Sequence, residues 1–214
     1  MKQAGDNAMN STPQIKVWDD FIRLFHWLTA SAFIIAYATG DEILGLHVAA
    51  GYLIGILLIG RLIWGFIGSQ HALFSDFVRS PTDALKYLQD ALRLRARRYI
   101  GHNPAGGLMI VLLLVMLGAM TISGFVLYGI EENAGPLAAF VGDFGKGAEE
   151  AMEDLHEGLA ALTLFLVGIH LCGVVFESIV HRENLVRAMI TGYKRKTVTE
   201  PANDNSRHRH YLSN

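Results

Sequence analysis

The run LHEGLAALTLFLVGIH, Leu155–His170, carries two histidines fourteen residues apart in a stretch whose single carboxylate is Glu157. Fourteen residues of α-helix rise about 21 Å and return to within about 40° of the starting direction. One helix therefore offers two imidazoles on one face, near opposite sides of a bilayer. The uncharged part, Gly158 to Phe176, has the length needed to cross about 30 Å of hydrocarbon.

Three further segments match it. Leu24 to Thr39 is uncharged and reaches spanning length when its start at Phe21 is counted; Ile43 to Ile67 is broken only by Arg61; Leu108 to Ile130 carries no charge. The expected fold is all-α, a transmembrane four-helix bundle. The first twenty residues, ending WDD, are polar and lack an apolar core, so the first span is expected to insert uncleaved. The chain divides into a tail at 1–16, a transmembrane domain at 17–196 and a disordered tail at 197–214. The 214 residues are 51% apolar and 18% charged, with one Cys and mean hydropathy +0.30, which excludes a disordered chain or a disulfide scaffold. The net charge of -2 gives no reason to expect nucleic acid as a partner.

Lysines and arginines stay on the cytoplasmic side of a membrane. They gather before the first span (Lys2, Lys16, Arg23), between the second and third (Arg79, Lys86, Arg93, Arg95, Arg97, Arg98) and after the fourth (Arg182, Arg187, Lys194, Arg195, Lys196, Arg207, Arg209). The other connections hold Asp41 and Glu42, and a loop from Glu131 to Asp154 with Lys146 its single cation. Both termini are thus expected inside, and an acidic outer face suits a basic partner. Between the second and third spans, PTDALKYLQDALRLRARR has Leu85, Leu88 and Leu92 at helical spacing and reads as an amphipathic helix lying on the inner leaflet. In the following GHNPAGG, Asn103 is placed to cap the third span and Pro104 to begin it.

Of nine histidines, His26, His47, His156 and His170 fall in or at the ends of spans, where an imidazole is costly without a partner. Counting from the span ends pairs them by depth: His26 with His170 near the inner side, His47 with His156 near the outer. Two imidazoles at each of two depths suit an iron porphyrin, which takes an axial ligand from each side. Zinc would want three or four ligands converging at one depth. His47, Gly51 and Gly55 form a stripe on which a ring could lie, although G-x-x-x-G also packs plain helices. The lone Cys172 excludes covalent C-x-x-C-H attachment, so the haem would be b-type; Cys172 itself reads as a small buried residue. Arg23, one turn before His26, and Arg61 have two open roles: pairing with haem propionates, or snorkelling to the interface. His102 reads as a solvated cap residue, and His71, His181, His208 and His210 as surface residues.

The runs VWDDFIRLFHW, LHVAAGY, RLIWGFIG, GHNPAGG and LHEGLAALTLFLVGIH, in this order from Val17 to Lys196, resemble the bacterial cytochrome b561 family, which includes relatives of the b-type cytochrome subunit of nickel–iron hydrogenases. The resemblance implies four membrane helices holding two b haems, ligated by His26 with His170 and His47 with His156. It also implies electron transfer at the bacterial inner membrane between quinone and a periplasmic redox protein, such as a c-type cytochrome or a hydrogenase, and a homodimer. Iron with an imidazole on both faces has no open position for substrate, which favours electron transfer over inner-sphere catalysis. An alternative is a quinone-linked oxidoreductase acting on a small outer-side reductant such as superoxide. The acidic outer loops disfavour an anion.

Overall fold

A computed structural model of the chain describes residues 13–40, 42–141 and 145–196. Four long helices dominate it: α1 (Asp20–Thr39), α2 (Leu44–Ile67), α5 (Pro104–Glu132) and α6 (Lys146–Val180), each long and apolar enough to cross a bilayer. Between α2 and α5 lie a short 3-10 turn (Gln70–Ala72), a single turn α3 (Phe74–Phe77) and α4 (Pro81–Leu92). After α6 come α7 (Leu185–Thr191) and β2 (Tyr193–Arg195), which pairs antiparallel with β1 (Gln14–Lys16). The fold is an all-α membrane bundle with an amphipathic helix beside it, as the hydropathy pattern predicts.

Capping sets the helix starts. Asp19 accepts from Ile22 N at 2.8 Å, Ser80 Oγ from Asp83 N at 3.1 Å ahead of Pro81, and Asn103 from Gly106 N at 2.7 Å ahead of Pro104. Each satisfies an orphan amide of a first turn, as expected for Asn103.

α1 packs along α2 and α5 along α6, and the two pairs meet through α2 and α5. The shared core is Ala32, Phe33 and Ala36 of α1, Ala50, Ile54 and Leu58 of α2, and Leu117 and Met120 of α5, with Leu159, Ala160 and Val167 of α6 against it. The alanines let backbones approach closely, which matters where lipid is as apolar as the side chains and packing itself drives association. Facing outward are large apolar side chains, Ile34, Ile56, Phe66, Ile122, Phe165 and Ile179 among them, as acyl chains require. α6 is the least enclosed of the four, and Thr163 is its single buried residue among those described.

Several expectations need correction. α4 stops at Leu92, and the cations from Arg93 to Arg98 follow in non-helical chain. Its leucines at 85, 88 and 92 point outward, while Ala84, Tyr87 and Ala91 pack on the bundle, so the helix has two apolar faces. α6 begins at Lys146, so Glu149, Glu150, Glu153 and Asp154 sit on its first turns and not in a loop. Cys172 is exposed on α6 and not buried. Residues 14–16, read as tail, form a strand. Asp41, Asp143, Lys2, Arg207, Arg209, His208, His210 and the expected disordered tail at 197–214 lie outside the described residues.

The strand pair closes the end of the bundle at which α1 begins and α6 ends. Val17 N and Trp18 N both donate to Gly192 O, at 2.8 and 3.1 Å. Gly192 has φ +87°, and a Cβ there would lie 2.7 Å from Trp18 O, so both the turn and the close approach need glycine. Beneath it, Val17, Trp18, Ile22, Ala72 and Ala188 form a second core. Glu183, buried beside Lys194, accepts from Arg98 at 2.9 Å.

Candidate functional site

The two halves of the bundle leave their imidazoles between α6 on one side and α1 and α2 on the other. At the end rich in carboxylates, His47 of α2 and His156 of α6 face each other with ring centroids 6.0 Å apart, and both line one cavity with Phe33, Gly51, Thr121 and Gly124. A metal held between two rings by bonds of about 2 Å needs a spacing close to this.

Hydrogen bonds fix which nitrogen each ring presents. His47 Nδ1 lies 2.9 Å from Ala36 O, and a carbonyl only accepts, so the proton is on Nδ1. Ser123 Oγ donates to Met120 O at 2.9 Å, so its lone pair is what meets His156 Nδ1 at 3.0 Å, and again Nδ1 carries the proton. Both Nε2 atoms are left as bare lone pairs, the form in which imidazole binds a metal. Gly124 matters here: a Cβ on it would come within 2.9 Å of His156 Cε1. Gly51 leaves open space where a Cβ would stand, while a Cβ on Gly55 would only touch Phe125 and Thr121 at 3.4 Å. The stripe therefore borders the cavity at Gly51 and packs against α5 at Gly55.

At the other depth, His26 of α1 and His170 of α6 are both half-buried and within electrostatic reach of each other. His26 Nδ1 is buried without a partner, as is Thr29 Oγ1 one turn further along α1. His47 and His156 are thus close neighbours, while His26 and His170 interact electrostatically.

The two arginines diverge. Arg23 Nη1 donates to Asp20 at 2.8 Å and Nη2 donates to Ile190 O, which ties α1 to the end of α7. Arg61 is 3% exposed: its guanidinium lies over the rings of Phe74, at 4.9 Å, and Phe77, at 5.8 Å, and Nη1 has no partner. His102 is not a solvated cap. Its ring stacks at 4.5 Å from Trp18 and 4.9 Å from Phe77, and its Nδ1 is buried without a partner. Burial, with Lys194, Arg61, His71 and His170 nearby, pushes this imidazole down to about 3, so it is neutral near pH 7. His71 and His181 are not free surface residues either: His71 Nδ1 pairs with Asp76 at 3.0 Å, and His181 Nε2 is buried 3.2 Å from Glu177 without a hydrogen bond. Glu177 also accepts from Tyr87 OH at 3.0 Å, and burial together with this carboxylate raises the Tyr87 phenol.

Asp19 serves structure more than chemistry. It caps α1 and accepts from Trp64 Nε1 at 3.1 Å and from Ser69 Oγ. Burial alone would raise its carboxyl, but the hydrogen bonds from Ser69, Ile22 and Trp64 outweigh it and hold it below 3.8.

Ser123, Gly124 and the Ala36 carbonyl are functional features that the sequence reading missed. Nothing along the chain links residue 123 to residue 156; only the packing of α5 on α6 does.

The model of the family described as prokaryotic cytochrome b561 matches residues 17–192. The chain belongs to the prokaryotic cytochrome b561 family. It is thus a multi-pass membrane b-type cytochrome, and haem b and electron transfer go with the family. It is similar to the probable Ni/Fe-hydrogenase B-type cytochrome subunit of Azotobacter vinelandii, at 26% identity over 89% of this chain and 92% of that protein. The probable Ni/Fe-hydrogenase B-type cytochrome subunit of Bradyrhizobium diazoefficiens is 23% identical over 88% and 89%, and the probable Ni/Fe-hydrogenase 1 B-type cytochrome subunit of Escherichia coli K12 is 24% identical over 91% and 94%. No solved structure matches the chain.

The residues of this cytochrome fit a haem. Two imidazoles with unprotonated Nε2 border a cavity walled by apolar and small side chains and by Thr121, whose hydroxyl is buried without a partner, as are polar atoms of Thr29, His26, Arg61 and His102 elsewhere in the bundle.

Proposed function

We propose that this cytochrome carries two b haems in series and passes electrons across the membrane between quinone and a redox protein on the opposite face. His47 and His156 would hold one haem, and His26 and His170 the other. Haem held by these imidazoles would supply a one-electron centre suited to passing electrons rather than to binding substrate. The chain's own residues fix the geometry: Ala36 O and the Ser123 hydroxyl orient the His47 and His156 rings, and Gly51 and Gly124 keep their surroundings clear of side-chain bulk. The facing pair at 6.0 Å with both Nδ1 protons anchored is the observation that carries this reading.

The charge distribution supports an orientation in the bacterial inner membrane with both termini cytoplasmic, since Arg79, Lys86, Arg93, Arg95, Arg97 and Arg98 lie at the end closed by β1 and β2. The periplasmic end would then bear Glu131, Glu132, Glu149, Glu150, Glu153 and Asp154, a surface suited to a basic patch on a c-type cytochrome or on a hydrogenase like those named with its relatives. The same carboxylates would repel superoxide, which disfavours an oxidoreductase acting on that anion. Quantifying haem per protein in the detergent-purified chain tests the proposal: two reducible haems are expected, and one or none would refute it. Reduction by quinol, followed in stopped flow, tests the quinone end.

A further inference from the structure

Arg61 follows His47 by fourteen residues on α2, the spacing that separates His156 from His170 on α6. It therefore sits about 21 Å further along on nearly the same face, at the depth of the second imidazole pair, with α2 offering a guanidinium where α1 offers His26. Burying a cation there is costly without an anion. Yet Arg61 is 3% exposed, forms no ion pair among the described residues and leaves Nη1 without a partner. Asp19 is its nearest compensating charge, felt through space, because both Asp19 oxygens already accept from Ile22 N, Trp64 Nε1 and Ser69 Oγ. Beside it stands His102, also with a buried, unpartnered Nδ1 and within electrostatic reach of both Arg61 and His170. The aromatic rings of Phe74, Phe77 and Trp18 hold the two groups in place and contribute no acceptor.

A buried cation and a buried imidazole able to donate, within electrostatic reach of each other and, for His102, of His170, call for an acceptor-only, anionic oxygen ligand. We infer that Arg61 and His102 grip a propionate of the haem held by His26 and His170, Arg61 neutralising the carboxylate and His102 donating a hydrogen bond to it. Arg23 is drawn to other acceptors, its Nη1 to Asp20 and its Nη2 to Ile190 O, and keeps only a buried Nε without a partner. The inference rests on the two-haem reading and adds a polarity to it: the haem at the end closed by β1 and β2 has its propionates anchored by a dedicated cation. Among the described residues, those lining the cavity between His47 and His156 are apolar, hydroxyl and imidazole side chains with no cation.

The test is a spectroelectrochemical titration of the full-length protein carrying Arg61→Gln, Arg61→Lys or His102→Phe. Removing the cation leaves a propionate charge uncompensated and stabilises the ferric form. In Arg61→Gln the ferric-to-ferrous ratio of one haem should rise at least tenfold at a fixed potential, a fall of about 59 mV for one electron. The other haem should stay unmoved. Arg61→Lys should recover most of the shift, His102→Phe should give a smaller one, and the propionate bending band in resonance Raman should move in all three. Retention of the unshifted haem reports that each variant folds. A wild-type protein with two haems whose potentials and Raman bands ignore all three substitutions overturns the propionate contact alone. Unmoved potentials with weakened quinol reduction would assign the pair to a quinone oxygen and overturn it equally. A wild-type protein with fewer than two haems removes the two-haem reading and this inference together.

Discussion

The two ends of the bundle prepare their histidines in opposite ways. At the acidic end, His47 and His156 are oriented by hydrogen bonds to Ala36 O and Ser123 Oγ and face each other across a cavity. At the basic end, His26 Nδ1 has no such anchor, and the buried groups of that end are the Arg61 cation, the neutral His102 and the Glu183, Arg98 and Lys194 cluster under the strand pair. One site is defined by dipoles that fix ring orientation, the other by a buried cation. The same ligand chemistry can thus be given different electrostatic settings within a single four-helix frame, which is how a protein separates the potentials of two chemically identical centres.

The largest effects should come from the axial positions. His47→Ala or His156→Ala should lower haem per protein from two to one and leave the basic-end haem intact, and His26→Ala or His170→Ala should do the converse. Loss of the same haem in His26→Ala and His47→Ala would break the comparison outright. Next, Ser123→Ala removes the Nδ1 anchor of His156 and should weaken haem binding at the acidic end about 10- to 100-fold, measured by titrating haem into apoprotein. A change confined to the other end would contradict the asymmetry. Gly124→Ala places a methyl against the His156 ring, so the α band of the acidic-end haem should shift while the second haem's band stays put. Gly192→Ala acts away from both haems: strain at φ +87° and the clash with Trp18 O should cost about 1–3 kcal/mol, seen as a lower Tm with unchanged haem spectra.

The smallest effect concerns acid stability at the basic end. The folded carboxyl of Asp19 is held below its unfolded value, so its contribution is present above that value and is lost as pH falls through the folded one. Asp19→Asn should therefore flatten the loss of thermal stability below about pH 4 and leave the curve near pH 7 parallel to wild type. An unaltered acid limb would show that the capping network at this end does not depend on charge.

Much of this was legible beforehand because membrane insertion simplifies the code. Three uncharged runs and a fourth broken only by Arg61 mark the helices, and the fourteen-residue interval between His156 and His170 sets two depths. Asn103 and Pro104 marked the start of α5 correctly. The misreadings have a common cause. His102 follows a glycine beside a helix start and looks like a surface cap, yet Trp18 and Phe77 enclose it. Arg61 looks like an interfacial cation, yet α3 folds back and lays Phe74 and Phe77 against it. Cys172 looks buried by its type but occupies the outward face of α6. In each case the missing information was which neighbour arrives from elsewhere in the chain.

The sequence by itself determined the four apolar spans, the spacing of His156 and His170 along one of them and the charge difference between the two ends, because these follow from rise per residue and from the cost of charge in hydrocarbon. Tertiary structure alone decided which nitrogen each imidazole presents at the acidic end and which cation lies buried at the other. Both depend on groups brought together from helices far apart in the chain, and no spacing along a single helix encodes such a meeting.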